Sequence, residues 1–145
     1  MATKPAFHHA FRERRCLILA DGFYQWQRQD RRKPPFYIRL CDGRPFAFAG
    51  LWEHWEGSEG TIIQSCTILT TTSNEVVGRI HHRMPMILSP TDYDRWLDPS
   101  IQEPAMLQPL LRPYSAVEMT AYLVSALVNN PANDTSGCTE PLPQG

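Results

Sequence analysis

The sequence predicts a mainly β domain of the α+β class, a barrel or sandwich carrying short helical insertions, and three observations lead there. Short apolar runs rich in Ile, Phe, Tyr and Thr succeed one another over the first seventy-two residues, separated by Asp-Gly and Gly-rich turns. After residue 72 the pattern changes to capped helical stretches. The chain has 145 residues, 42% hydrophobic and 20% charged, which suits one well-buried domain and is short for two.

The elements follow in order. "CLILA", the Asp21-Gly22 turn and "FYQWQR" place strand structure near 16–28, and "PFYIRL" a strand at 35–40. "CDGR" reads as an Asp-Gly hairpin turn. "PFAFAGLWEHW" gives a strand over 45–55, where Phe46 and Phe48 alternate with Ala47 and Ala49 in the period of a half-buried strand. "EGSEG" turns the chain into "TIIQSCTILTTT", a strand over 61–72. Ser73 reads as the N-cap of a short helix near 73–80, and "RMPMIL" as a strand over 83–88. Ser89, with Pro90 at the first helical position and acids close behind, starts a helix near 90–98. "PAMLQPLLRP" is interrupted by Pro109, and "MTAYLVSALV" gives a last strand over 119–128. From there the chain becomes too polar and too rich in Pro and Gly to pack by itself, so residues 132–145 read as a tail.

Net charge is −1, but residues 1–44 carry ten Lys or Arg against four acids and the remainder four against eleven. Arg12, Arg14, Arg15, Arg28, Arg31, Arg32 and Lys33 are the dense part. A polyanion fits such a surface; a solvated turn explains "RQDRRKP" equally well. The four cysteines, Cys16, Cys41, Cys66 and Cys138, show no C-x-x-C spacing, which argues against zinc, and no secretory signal accompanies them to favour disulfides. Cys16 and Cys66 sit in apolar runs that suit buried, inert thiols. No run is long enough to span a bilayer, so the expectation is a cytoplasmic protein without membrane contact.

Four segments, "KPAFHHAFRERRCLILADGFYQW", "ILTTTSNEVVGRIHHRMPMIL", "YDRWLDP" and "AYLVSALVNNPAND", resemble in this order the SOS response-associated peptidase (SRAP) family, which includes abasic-site shield proteins. The resemblance runs from Lys4 to about Asp134 and implies an SRAP-like domain over residues 1–131. It implies a positively charged face that binds single-stranded DNA and captures abasic sites covalently. The family's nucleophile is a cysteine at position 2, whose amine and thiol close onto the ring-opened sugar as a thiazolidine. Both groups are partly deprotonated at neutral pH, with ordinary pKa values of about 8 and 8.5, and so both attack a carbonyl. The same cysteine is held to release itself from a precursor, whence the family's peptidase name.

Position by position, the family's "GFYEW" stands here as "GFYQW", so Gln25 occupies the place of the acid–base glutamate. His81 matches the histidine of the I-H-x-R-M-P run, Arg83 a basic residue beside the DNA backbone, and Thr70 a hydroxyl near the lesion. His82 stands where an acid is common. Residue 2 is Ala2, and no cysteine precedes Cys16. The resemblance therefore implies a member missing its N-terminal reactive segment, nucleoid-associated when bound to DNA, monomeric and without cofactor. The competing reading is a catalytically inactive binder of single-stranded DNA or of a protein.

Blander readings stand beside these. Gln25 taken alone is a polar residue on a strand face. Neither His81-His82 nor His8-His9 makes a metal site, because neighbours on a strand point to opposite sides and no third ligand is suitably spaced. Cys16 with His81 imitates a cysteine-protease pair, but "RRCLI" is the entry to a packed strand. Among Trp26, Trp52, Trp55 and Trp96, only Trp55, beside a polar turn, reads as exposed enough to stack on a base.

Overall fold

The computed structural model describes residues 5–27, 31–129 and 136–142. Through them run α1 (Pro5–Glu13), β1 (Arg15–Ala20), β2 (Phe23–Trp26), β3 (Pro35–Leu40), β4 (Phe46–Glu56), β5 (Ile62–Ile68), β6 (Thr70–Thr72), β7 (Arg83–Pro85), β8 (Ile87–Leu88), α2 (Tyr93–Leu97), α3 (Pro104–Leu107) and β9 (Met119–Leu123), with 3₁₀ turns between the later elements. Ala2, Arg28, Asn130, Pro131 and tail residues 132–135 and 143–145 lie outside the described residues, as does the side chain of His8. The mainly β class stands. Three open ladders, β1-β4-β5 with β8 on β4, β2-β3-β9, and β6-β7, take the place of a closed barrel.

Two compact units share the chain. The first comprises Met1–Leu19, Phe46–Thr71 and Pro85–Tyr114; the second comprises Ala20–Pro45, Thr72–Met84 and Ser115–Gly145. In the first, β4 and β5 form a true hairpin, registered from Gly50↔Ile68 to Glu56↔Ile62. Gly57 closes it by donating its N–H to the Thr61 carbonyl, and Gly60 adopts the positive φ of +78° that the turn requires. Its core gathers Phe11, Ala49, Leu51, Met86, Leu88, Trp96, Leu107 and Leu110. Phe46 through Leu51 are buried throughout, on both faces of the strand. Alternation of large and small side chains thus marks a central strand here, not a half-buried one.

Arg15 is the buried charge of this unit. Its guanidinium donates to the carbonyls of Trp96 (2.6 Å), Phe11 (2.7 Å), Arg12 (3.0 Å), Asp98 (2.7 Å) and Ile101 (2.6 Å), and its Cζ lies 5.5 Å from the centre of the Trp96 ring. Five carbonyls use the whole donor fork of an arginine, so the ion is fully solvated by backbone. Burial pulls its pKa below the ordinary value, opposed by Asp98. A charge set in this way is an architectural joint, and Arg15 leaves the basic cluster read from the sequence.

The second unit is built on β2-β3-β9. Its register, Gln25↔Phe36↔Leu123 and Tyr24↔Tyr37↔Tyr122, sorts the side chains onto two faces. One holds Phe23, Gln25, Phe36, Ile38 and Leu40, with Ile38 and Leu40 buried. The other holds a row of tyrosines, with ring centres 5.1 Å apart for Tyr24–Tyr37 and 5.9 Å for Tyr37–Tyr122. Gly22 is obligatory beneath this row, since a Cβ there would run into the Tyr37 ring and stand 2.8 Å from the Ile38 carbonyl. The described part of the tail, 136–142, is tied back: the Tyr122 hydroxyl donates to the Thr139 carbonyl (2.7 Å), the Leu142 N–H to the Leu123 carbonyl (2.9 Å), and Cys138 is buried.

Several local expectations need correction. The stretch 73–80 forms only a 3₁₀ turn, Val77–Arg79, because two valines and Gly78 are weak helix formers. Its cap is Asn74, whose Oδ1 accepts from Val76 (3.1 Å) and Val77 (3.0 Å), while Ser73 Oγ donates to the His81 carbonyl (2.7 Å). Ser89 makes no side-chain cap; Pro90–Asp92 is a 3₁₀ turn that passes into α2. The Asp-Gly turn at 42–43 is not a hairpin turn: like the turn at 21–22, it links strands of different ladders. The run 61–72 is broken at Leu69, and β9 gives way to a 3₁₀ turn at Ala126–Asn129. Helix α1 had no counterpart in the reading of the sequence.

Candidate functional site

Gln25 sits in mid β2, half-buried, opposite Phe36. Two residues on, along the same strand face, Gln27 Nε2 donates to the Arg79 carbonyl at 3.2 Å. That bond ties the end of β2 to the turn that delivers His81. Between them lies a groove of about 400 Å³ lined by Gln27, Phe36, Val76, Arg79, Ile80, Met119, Thr120 and Ala121. Its floor belongs to the sheet face that also carries Gln25, and its rim offers the Gln27 amide and the exposed Arg79. The sequence reading singled out neither: Gln27 lies just past the GFYQW stretch, and Arg79 is the second residue of GRIHHR.

His81 is half-buried and lies just before β7. Its Nδ1 accepts the backbone N–H of Arg83 at 3.1 Å and stands 3.2 Å from the Arg83 carbonyl. In the neutral ring that accepts from Arg83, the proton resides on Nε2, leaving that N–H as the outward donor. Ser73 holds the His81 backbone from the other side. His82 is exposed, but its ring stacks on His81 with centres 4.6 Å apart and planes 21° from parallel. The two rings share a side because residues 81 and 82 precede the strand instead of lying in it.

Gln25, His81 and Arg83 all fall in the second unit; Thr70, exposed at the start of β6, falls in the first. The basic run divides in the same way. Arg14 is engaged with Glu53 (3.2 Å) and the Trp52 carbonyl (3.1 Å), and Arg15 is buried. Arg12, Arg31, Arg32 and Lys33 are exposed. Arg44 pairs with Glu118 at 2.9 Å.

Cysteine chemistry has no support at Cys16. Burial and the neighbouring Cys66 both raise its pKa, the reverse of what activates a thiolate. Cys66 is exposed on β5, not buried as its apolar surroundings in sequence suggest. Trp26, Trp52 and Trp55 all present exposed ring area, so Trp55 is not alone; Trp96 is fully buried. Among the described residues, no helix is long and apolar enough to cross a membrane.

With this geometry in place, comparison with known proteins is informative. The model of a family described as SOS response associated peptidase (SRAP) matches residues 1–131. The chain is 46% identical over 136 residues to the abasic site processing protein YoqW of Bacillus subtilis, covering 93% of this chain and 61% of that protein. It is 34% identical over 157 residues to the abasic site processing protein HMCES of Xenopus tropicalis, covering 94% and 46%. A solved structure from Bacteroides thetaiotaomicron superimposes with a TM-score of 0.88 at 28% identity, over 97% of this chain and 62% of that one. Another, from Bordetella bronchiseptica, gives 0.75 at 26% identity. The chain spans about three fifths of the length of the Bacillus relatives it matches.

Proposed function

Because the chain belongs to the SOS response associated peptidase family, we propose that it takes part in the DNA-damage response as the portion of an abasic-site processing domain that holds single-stranded DNA. The observation that carries this reading is its 46% identity, over 93% of its length, to a protein named for abasic site processing. The site chemistry supports it. His81 offers an Nε2 donor for the sugar oxygen of a ring-opened abasic site. Arg83 and the exposed Arg31, Arg32 and Lys33 supply positive charge for phosphates. Binding of this kind is salt-sensitive and nearly indifferent to sequence.

Covalent capture needs two further groups. One is the N-terminal cysteine whose amine and thiol close the thiazolidine in the family. An acid–base group must move protons as the imine forms, and the Gln25 amide does not titrate near neutral pH. Gln25 should therefore leave binding of abasic single strands in place while slowing or preventing their crosslinking. Incubating the chain with a single-stranded oligonucleotide carrying one abasic site tests both halves. The expected result is a complex that weakens steeply with salt, with no heat-stable adduct by intact mass. Salt-independent affinity would remove the binding half; a heat-stable adduct would remove the other.

A further inference from the structure

Strand β5 is the least protected element of the first unit. All seven residues from Ile62 to Ile68 are exposed, with Ile62 at 60% and Ile63 at 54%, and Trp55, opposite Ile63, at 58%. Among the described residues no strand pairs with its outer edge. The direction of its backbone groups follows from two bonds: Gly57 N–H to the Thr61 carbonyl and Leu69 N–H to the Ala49 carbonyl. Odd-numbered residues thus bond to β4, and Ile62, Gln64, Cys66 and Ile68 turn their N–H and C=O groups outward. From Thr61 to Leu69 there is no charge, proline or glycine. Natural edge strands are normally blunted by those features, and an edge lacking all of them is built to be paired.

We propose that the outer edge of β5 is a strand-docking site whose occupant is a β-strand from the part of the family domain that lies outside the region matched here. Two findings favour this occupant. The Bacteroides structure contains nearly all of this fold at a TM-score of 0.88, yet 38% of that chain lies outside the match. YoqW likewise has 39% of its length outside the match. The docking strand bonds through its backbone to Ile62, Gln64, Cys66 and Ile68. It lays apolar side chains alongside Ile63 and Trp55 on one face and Ile62, Trp52 and Ile68 on the other. The proposal rests on family membership and not on DNA binding.

The test uses the 145-residue chain co-expressed with a separate polypeptide made of the YoqW residues outside the match, with no DNA present. The expected result is a one-to-one complex in native mass spectrometry. Amide exchange at Ile62, Gln64, Cys66 and Ile68 should slow at least tenfold on complex formation, and that at Ile63, Ser65 and Thr67 much less. Gln64→Pro removes an outward N–H that β4 does not use, a position where proline is tolerated at an edge. It should leave the melting temperature of the chain alone within a few degrees and weaken the complex at least tenfold; Gln64→Lys should act in the same direction. Three results would overturn the proposal: no complex, a complex in which the four outward amides exchange as before, or β5 pairing with a second copy of the chain in preference to the added polypeptide.

Discussion

Nδ1 of His81 lies 3.1 Å from the backbone nitrogen of Arg83 and 3.2 Å from its carbonyl oxygen, so one ring atom faces a donor and an acceptor of the same residue. The neutral ring accepts from the N–H; a ring protonated at Nδ1 donates to the carbonyl. The backbone of Arg83 therefore holds the ring in one orientation whichever tautomer it carries.

That relationship gives the first prediction. When a Cys-led family segment is joined ahead of this chain, crosslinking to an abasic single strand should be slow, with His81 the one acid–base group at work. Gln25→Glu in that background should raise the single-turnover rate about a hundredfold or more. His81→Ala should lower it, and Gln25→Glu without the added segment should give no adduct. An unchanged rate on Gln25→Glu would return Gln25 to the status of an ordinary strand-face amide.

Arg15 carries the second. Lysine keeps the charge but offers three donors where five carbonyls wait, and its compact ammonium does not fit the fork. Arg15→Lys should cost about 3 kcal/mol in urea unfolding, since each bond to a charged donor contributes about 1.5–3 kcal/mol and part of the set survives. Arg12→Ala, at an exposed position, should stay within about 0.5 kcal/mol of the parent.

The third concerns Gly22. Gly22→Ala forces a methyl group into the Tyr37 ring and toward the Ile38 carbonyl, at a place where the backbone cannot give way without disturbing the β2-β3 pairing. A loss of about 1–3 kcal/mol is expected. Tyr37→Phe in the same chain should recover part of it by removing the hydroxyl that the methyl group meets.

The fourth is a pH dependence. Burial is the first cause of a raised pKa at both Cys16 and Tyr37, from ordinary values of 9.0 and 10.0. The unfolded chain ionises these groups first as pH rises, so the stability they confer is complete below about pH 9 and is lost as pH climbs through their folded values. Urea midpoints measured upward from about pH 8 should therefore decline, and the decline should be shallower in a Cys16→Ala, Tyr37→Phe double variant.

Much of the β framework was legible because alternation and turn residues are local properties. Gly57 and Gly60 bracket a real hairpin, and the strands at 35–40 and 46–56 lie where their apolar runs put them. Partner choice was not legible. Asp21-Gly22 and Asp42-Gly43 carry the chemistry of a hairpin turn but join strands of different ladders, a decision made by packing at a distance. Burial misled in both directions: Phe46–Leu51 alternate in size yet are buried on both faces, whereas Cys66 lies in an apolar run that solvent reaches. At the site, the motif positions of Gln25 and His81 were plain, but the Gln27–Arg79 tether and the stacking of His82 depend on backbone geometry that no residue type announces. Asn74 outcompetes Ser73 as cap because its longer side chain reaches two amides at once.

The interleaving of the two units has a consequence for how the protein comes into being. Each is assembled from three separate stretches of chain, so no single cut releases either one whole. On the ribosome, β3 is made early and its neighbour β9 late; Phe36 must wait for Leu123 before the β2-β3-β9 sheet can close. Until then β3 lacks one of its hydrogen-bonding neighbours, and the sheet closes only through a pairing of long sequence separation. The closing of this sheet should therefore be the slow step by which the second unit forms.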